Sequence, residues 1–356
     1  HGQENIPKKG AVIFIGNHQN ALIDAILVPT TNNRNSHFLT RASAFKIDIV
    51  DQILRSLNMI PVFRVRDGIR TIEKNFGVFE QCIEILKLEK AIQIFAEGEH
   101  HLQRRIIPLK KGFARIILGT LQKYPELPIY IVPIGINYDS HLNFPSSTSI
   151  YYGKPILANQ FVDAKNPNLK FKEITNEVSI ALKNLTLHVE DLANYDEIIL
   201  KLEALEVDYL NPFKANKLVE NLETTTPKVI VKKKKSNWFA PIHLLTKLNS
   251  VFPLLIWKYI KPKIKDVVFT NTYRFALITT LFPLFYVIQT IIVYIIFDIR
   301  IAIIYLLASI LLGIISAKII QTIIVYIIFD IRIAIIYLLT SILLGIISAK
   351  TMTITQ

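Results

Sequence analysis

Short, unbroken apolar runs alternate with longer stretches of helical period over the first 210 residues. Strands are predicted at 11–16, 37–40, 91–95, 129–135 and 148–152, where four to seven largely apolar or β-branched residues run together. Helices are predicted at 21–28, 43–57, 69–87, 112–123, 171–188 and 194–209, where apolar residues recur every three or four positions. Strands that alternate with helices, and that are apolar throughout, belong in a sheet covered on both faces. The fold class expected is therefore α/β, a central, mostly parallel sheet flanked by helices, followed by a C-terminal helical transmembrane region.

The pattern changes near 211. Asn211-Pro212 is expected to stop a helix, and Thr224-Thr225-Thr226-Pro227 reads as a linker. Lys232 to Lys235 form a basic tract, and the mixed stretch after Pro241 fits a helix lying in a membrane interface. Phe275 to Phe297 are 23 residues without a charge, long enough to cross a bilayer. Asp298-Ile299-Arg300 breaks the run, and Ile301 to Ala317 are 17 more uncharged residues, which reads as a membrane hairpin. Lys261, Lys263, Lys265 and Arg274 precede it, placing that end on the cytoplasmic side. Gln289–Lys318 then recurs as Gln321–Lys350 with one change in 30 positions, Ala308 against Thr340. Diverged solenoid repeats do not look like this, and a recent tandem duplication or an error in assembling the sequence does. The organisation expected is 1–210 as the α/β domain, 211–240 as a linker with the basic tract, 241–273 as an interfacial segment, and 274–350 as transmembrane helices, 321–350 being a near-copy of 289–318.

Charge sharpens this division. Residues 1–225 carry a net charge of +1 and residues 226–356 a net of +12, so the basicity lies beside the apolar runs. That placement suits an anionic membrane surface and not nucleic acid. The one cysteine, Cys82, cannot form an intrachain disulfide, and its helical setting is that of a core residue. No Cys/His spacing resembles a metal site, and the adjacent His100 and His101 lack a third ligand.

Candidate chemistry collects where strands end. The first run delivers Asn17-His18-Gln19-Asn20, and Asp24 follows in the next helix. Six positions leave His18 and Asp24 roughly 120° apart on a helix, so His18 must sit in the loop with Asp24 reaching back from the first turn or so. A His held by a carboxylate can remove a hydroxyl proton near neutral pH, although a lone pair of this kind fits a polar turn as well. A second run ends at Arg41, a third gives Phe95-Ala96-Glu97-Gly98-Glu99 followed by Arg104 and Arg105, and a fourth contains Val132-Pro133.

This ordered set, over roughly residues 1–155, resembles the glycerolipid acyltransferase family, which acylates glycerol 3-phosphate and its 1-acyl ester. The resemblance implies that His18 is the general base and Asp24 its partner. It further implies that Asn17, Arg41, Arg64, Glu97, Gly98, Arg104 and Arg105 bind substrate, and that Val132 and Pro133 lie on the acyl side. Met59 to Arg64 also resemble a short segment of the family. Two departures stand out. Five residues separate His18 from Asp24 where the common motif has four, and the third motif has Ala96 for Pro and Glu99 for Thr or Ser.

The activity expected is membrane-anchored transfer of a fatty acyl group from a thioester donor to a hydroxyl of a glycerol phosphate. The donor is acyl-CoA or an acyl carrier protein thioester acting as co-substrate. No cofactor and no metal are expected, and the partners are membrane lipids and the acyl donor. The location expected is the cell membrane, multi-pass, with the catalytic domain on the cytoplasmic side. Alternatives are transfer to a non-phosphorylated acceptor, thioester hydrolysis, and an inactive lipid-binding or scaffold protein on the same fold.

Overall fold

The computed structural model describes residues 1–63, 75–144, 146–161, 167–222 and 240–320. These fall into two compact units, one within His1–Lys235 and Trp257–Ile278, the other within Ser236–Ile256 and Thr279–Gln356.

The first unit is built on a seven-stranded sheet. In chain order its elements are β1 (Ala11–Gly16), α1 (Ala21–Thr30), β2 (Ser36–Arg41), α2 (Asp48–Ser56), β3 (Met59–Val62) and α3 (Asn75–Lys87). Next come β4 (Ala91–Ile94), α4 (Gly112–Lys123), β5 (Ile129–Tyr138), β6 (Thr148–Tyr152), β7 (Ile156–Leu157), α5 (Pro167–Leu185), α6 (Tyr195–Ala204) and α7 (Pro212–Glu220). The sheet order is β3-β2-β4-β1-β5-β6, and β7 also pairs with β5. Strands β1 to β5 are mutually parallel, while β6 and β7 run antiparallel to β5. The C-terminal ends of five strands therefore share one edge.

Successive residues of β1 point to opposite faces, and both faces are covered. Ala11, Ile13 and Ile15 join a core with Cys82, Ile117 and Val178, from α3, α4 and α5. Val12 and Phe14 join Val28 of α1 and residues of β5 and β6 on the other face. This explains why β1 is apolar throughout and has no alternation to read. Burial pushes the Cys82 thiol up to about 12, as a packing role requires.

Several expectations need correction. The helix read over 43–57 is two pieces, a 3-10 turn at Ala42–Phe45 and then α2, because Ile47 is extended at φ −108°, ψ 125°. A strand, β3, covers Met59–Val62 where only a motif was read, since four residues on a sheet edge are too few for a clear period. The helix read over 194–209 stops at Ala204, and Asn211-Pro212 starts a helix instead of stopping one. Asn211 Oδ1 accepts the Lys214 N–H at 3.2 Å, and Pro212 at the first helical position loses no bond. Residues 212–220 are thus not linker. Ala215 of α7 packs with Leu187 and Leu202 in a small core of the first unit. Arg64, the start of the helix read at 69, the basic tract and the copy at 321–350 lie outside the described residues.

The second unit holds α8 (Ala240–Asn249), most of α9 (Val251–Ile260), α10 (Thr270–Ile296) from Thr279, and α11 (Ile299–Ile320). Asp298 opens α11 by accepting the N–H groups of Arg300 and Ile301 at 2.7 and 2.9 Å. Among the described residues one helical stretch, Val267–Ile296, is long and apolar enough to cross a membrane, with mean hydropathy 2.0.

Candidate active site

The shared C-terminal edge of the parallel strands carries the candidate chemistry, as crevices in α/β sheets do. β1 ends at Gly16, and the Asn17 side chain continues its pairing with β5. Asn17 Nδ2 donates to Ile136 O at 2.9 Å, and Asn17 Oδ1 accepts Ile136 N–H at 2.7 Å. With both groups occupied and no exposure, Asn17 fixes the path of the next residues.

His18 follows in the loop and Asp24 lies in the first turn of α1. Their side chains meet, His18 Nδ1 to Asp24 Oδ2, at 3.0 Å. Asp24 Oδ2 also accepts the N–H groups of Gln19 and Asn20 at 2.8 and 2.7 Å, and Oδ1 accepts the Tyr138 hydroxyl at 2.5 Å. A carboxylate has no proton to give, so His18 Nδ1 carries the hydrogen and Nε2 keeps its lone pair. Asp24 is fully buried, while the His18 ring keeps 15% exposure. The ring stacks on Phe95, centroids 4.1 Å apart and 5° between planes. Among the described residues Nε2 has no protein partner.

The loop that exceeds the common motif by one residue runs into a strained position. Ala21, the first residue of α1, has φ 41°, where side chains other than glycine are disfavoured.

The adjacent β4 delivers Phe95-Ala96-Glu97-Gly98 as a turn closed by Gly98 N–H to Phe95 O at 3.1 Å. Gly98 has φ +73°, and a Cβ there would stand 3.0 Å from Lys110 Cγ. Glu97 is fully buried. Its Oε2 meets His101 Nε2 at 3.1 Å, and its Oε1 has no partner among the described residues. Arg41 is exposed at the end of β2. Phe38 pairs with Gln93, so three residues further on Arg41 stands level with Ala96 at the same edge.

The other predicted residues sit differently. The Arg104 guanidinium donates to Tyr138 O and Asp139 O at 2.9 and 3.0 Å and lies 3.6 Å from the Tyr209 ring centre. These contacts tie β5 to the segment before α7, and burial draws the Arg104 pKa down. Arg105 lines a separate groove of about 400 Å³ with Lys111, Phe171 and Lys183. Val132 and Pro133 are buried in β5 beside Phe14 and Ile15, and Pro133 O accepts Gly153 N–H at 2.8 Å.

Sequence reasoning missed four groups. Tyr138 ends β5, and burial together with the Asp24 charge raises its pKa well above the usual phenol range. Gln19 Nε2 donates to Gln103 O at 2.7 Å, which leaves Oε1 to accept from His141 Nε2 at 3.0 Å. Burial holds the His141 pKa down at about 3, so its ring is neutral with the proton on Nε2. Phe95 forms the floor under His18. Lastly, His100 stands edge-on to His18 at 5.6 Å and meets Asp266 Oδ2 at 3.1 Å. Gln19 and Phe95 lie inside the first and third motifs and His100 beside the third, whereas nothing local marked Tyr138 or His141.

Comparison with known proteins gives this geometry a context. Residues 1–137 match the family model described as Acyltransferase. Glycerol-3-phosphate O-acyltransferase 1 of Saccharomyces cerevisiae is 30% identical over 141 residues, 38% of this chain and 18% of that protein. The 1-acyl-sn-glycerol-3-phosphate acyltransferase of Borreliella burgdorferi is 27% identical over 206 residues, 58% of this chain and 72% of that protein. The chain thus spans under a fifth of the yeast relative and most of the bacterial one. The crystal structure of the 1-acyl-sn-glycerophosphate acyltransferase PlsC from Thermotoga maritima is 21% identical, covering 51% of this chain and 70% of that one, with a TM-score of 0.34.

Proposed function

We propose, from the match of residues 1–137 to the acyltransferase family model, that this chain is a membrane-anchored O-acyltransferase acting on a glycerol phosphate. The observation that carries the reading is the His18–Asp24 pair, with Asp24 fully buried and a lone pair left on His18 Nε2. The acceptor hydroxyl gives its proton to Nε2 as its oxygen attacks the thioester carbonyl of the donor. The C–O bond forms, the C–S bond breaks, and the leaving thiolate takes the proton from Nε2, which restores the neutral ring. Asp24 stabilises the imidazolium in between. No acyl-enzyme is required, because the acceptor oxygen is the nucleophile. Arg41, exposed at the same edge, suits the acceptor phosphate, since a guanidinium can bind it bidentately. The donor is a thioester of CoA or of acyl carrier protein, and the apolar stretch Val267–Ile296 anchors the enzyme in the membrane with its catalytic unit on the cytoplasmic side.

The test is acyl transfer by His18→Ala. Loss of at least about 10²-fold in kcat with unchanged thermal unfolding is expected. Transfer retained at wild-type rates would sink the mechanism. The choice of acceptor rests on fewer groups than the motifs implied, because Arg104 is occupied by backbone carbonyls. The assay therefore runs with glycerol 3-phosphate, its monoacyl ester, an amino lipid and no acceptor, the last arm reading hydrolysis.

A further inference from the structure

Helix α2 has an aliphatic ridge that no described residue covers. At 100° per residue, Ile49, Ile53 and Leu57 follow one another at i, i+4 and i+8, a line roughly 12 Å long. They are 71%, 52% and 54% exposed, and Ile47 at the head of the helix is 64% exposed. The opposite half carries Asp48, Asp51 and Arg55, the last two paired at 2.9 Å. No residue of this helix is buried, although its sequence divides cleanly into apolar and polar halves. An amphipathic helix in a packed domain turns its apolar half inward. This one leans on its neighbours with one margin of that half and turns the rest to solvent.

We propose that this ridge is a second membrane contact, made by the catalytic unit itself, and that it lies in the interface of a phospholipid bilayer. Three features favour lipid over a protein partner. The ridge is wholly aliphatic and lacks the aromatic and Arg anchors on which protein interfaces depend. Its charges are sorted for an anionic surface: Lys46 is exposed at the head of the ridge, Arg41 precedes it, and both acids lie on the far half. Its place also matters, because α2 leaves the sheet at the edge that carries His18, so docking there brings that edge to a substrate held in the membrane. The choice of lipid as occupant rests on the acyltransferase reading; the unpartnered ridge does not.

The experiment uses the full chain in vesicles of phosphatidylcholine and phosphatidylglycerol bearing nitroxide-labelled acyl chains. Cys82 is buried and unreactive, so a fluorophore can be placed at Ile53→Cys or, as a control one residue away but off the ridge, at Gln52→Cys. Strong quenching at Ile53→Cys with weak quenching at Gln52→Cys is the expected result. Equal quenching at both, or none at either, overturns the proposal. So does an Ile53→Cys label already shielded in detergent without lipid, which would mean that another segment of the chain or a second copy covers the ridge. Quenching needs no turnover, so it reads the contact even if acyl transfer is never found. Where transfer is found, the combined Ile49→Ser, Ile53→Ser and Leu57→Ser variant should raise KM for a vesicle-borne acceptor about tenfold. Its kcat on a detergent-dispersed acceptor should match wild type.

Discussion

Two histidine–carboxylate pairs stand at neighbouring strand ends, and they differ in how completely the carboxylate is used. Asp24 accepts from His18, two backbone amides and the Tyr138 hydroxyl, so both oxygens are occupied. Among the described residues Glu97 accepts from His101 alone, and its second oxygen is buried without a donor. A carboxylate held on all sides cannot swing and acts as a fixed charge behind His18. On the acyltransferase reading proposed above, the unpartnered oxygen of Glu97, buried at a sheet edge, is left for a donor that arrives with the acceptor. On that reading the same two residue types do different work, orienting a base in one place and gripping a ligand in the other.

The strongest challenge to that distinction is to remove the negative charge from each pair. Asp24→Asn should lower kcat by roughly 10³- to 10⁴-fold, because a neutral amide removes the charge that stabilises the imidazolium. Glu97→Gln should act chiefly on the acceptor, raising its KM by about tenfold with a smaller change in kcat. Steady-state kinetics with the acceptor varied read both. If Glu97→Gln instead reduces kcat as much as Asp24→Asn does, the two pairs share one role and the contrast fails.

Tyr138→Phe probes the contrast from the side of satisfaction. Removing the hydroxyl leaves Asp24 Oδ1 as unsatisfied as Glu97 Oε1 already is. The expected cost is about 1–3 kcal/mol of stability, measured by thermal or denaturant unfolding, with kcat down about tenfold. A variant as stable as wild type would mean that the bond of 2.5 Å contributes nothing net.

Protonation tests the support beneath the first pair. Neutral His141 donates to Gln19, and Gln19 N–H donates to Asp24. The folded pKa of His141, about 3, lies below the ordinary imidazole value of 6.5, chiefly from burial. Between those values the unfolded chain binds more protons, so this contribution is whole above about pH 6.5 and declines as pH falls. The loss should reach about 2 kcal/mol near pH 5. Unfolding measured from neutral to acid pH should show that slope, and His141→Gln, which keeps a donor, should flatten it.

How much of this was legible in the sequence depended on how far a signal had to travel. β1, β4 and β5 were readable because each buries both faces and so appears as an apolar run. The order of Asn17-His18, Arg41 and Glu97-Gly98 could be read because parallel strands deliver their ends to one edge, whereas Val132-Pro133 lie inside β5. Tyr138 could not, since it meets Asp24 across 114 positions and nothing local distinguishes it from a core tyrosine. The carbonyls of Tyr138 and Asp139 that hold Arg104, which the resemblance implied as a substrate ligand, are equally invisible in the sequence. Ile47 looked helical by period, yet its extended backbone breaks the helix and brings the ridge of α2 into being.

The subtlest difference between the pairs is the geometry that reaches each carboxylate. Glu97 and His101 are four apart, whereas six positions separate His18 from Asp24, and α1 begins with Ala21 at φ 41°. A left-handed residue of this kind costs about 1–2 kcal/mol when it carries a side chain. Ala21→Gly removes that cost but gives the unfolded chain more freedom, worth about 0.4–1 kcal/mol, so a net gain near 0.5 kcal/mol is expected. Ala21→Val puts a branched side chain at the same φ and should lose about 2 kcal/mol or more. Unfolding curves for the two variants decide the matter. A stabilised glycine variant with kcat within about threefold of wild type would show that the strain is incidental to the pair. A stabilised variant with kcat clearly lower would show that the strained start of α1 presses Asp24 against His18.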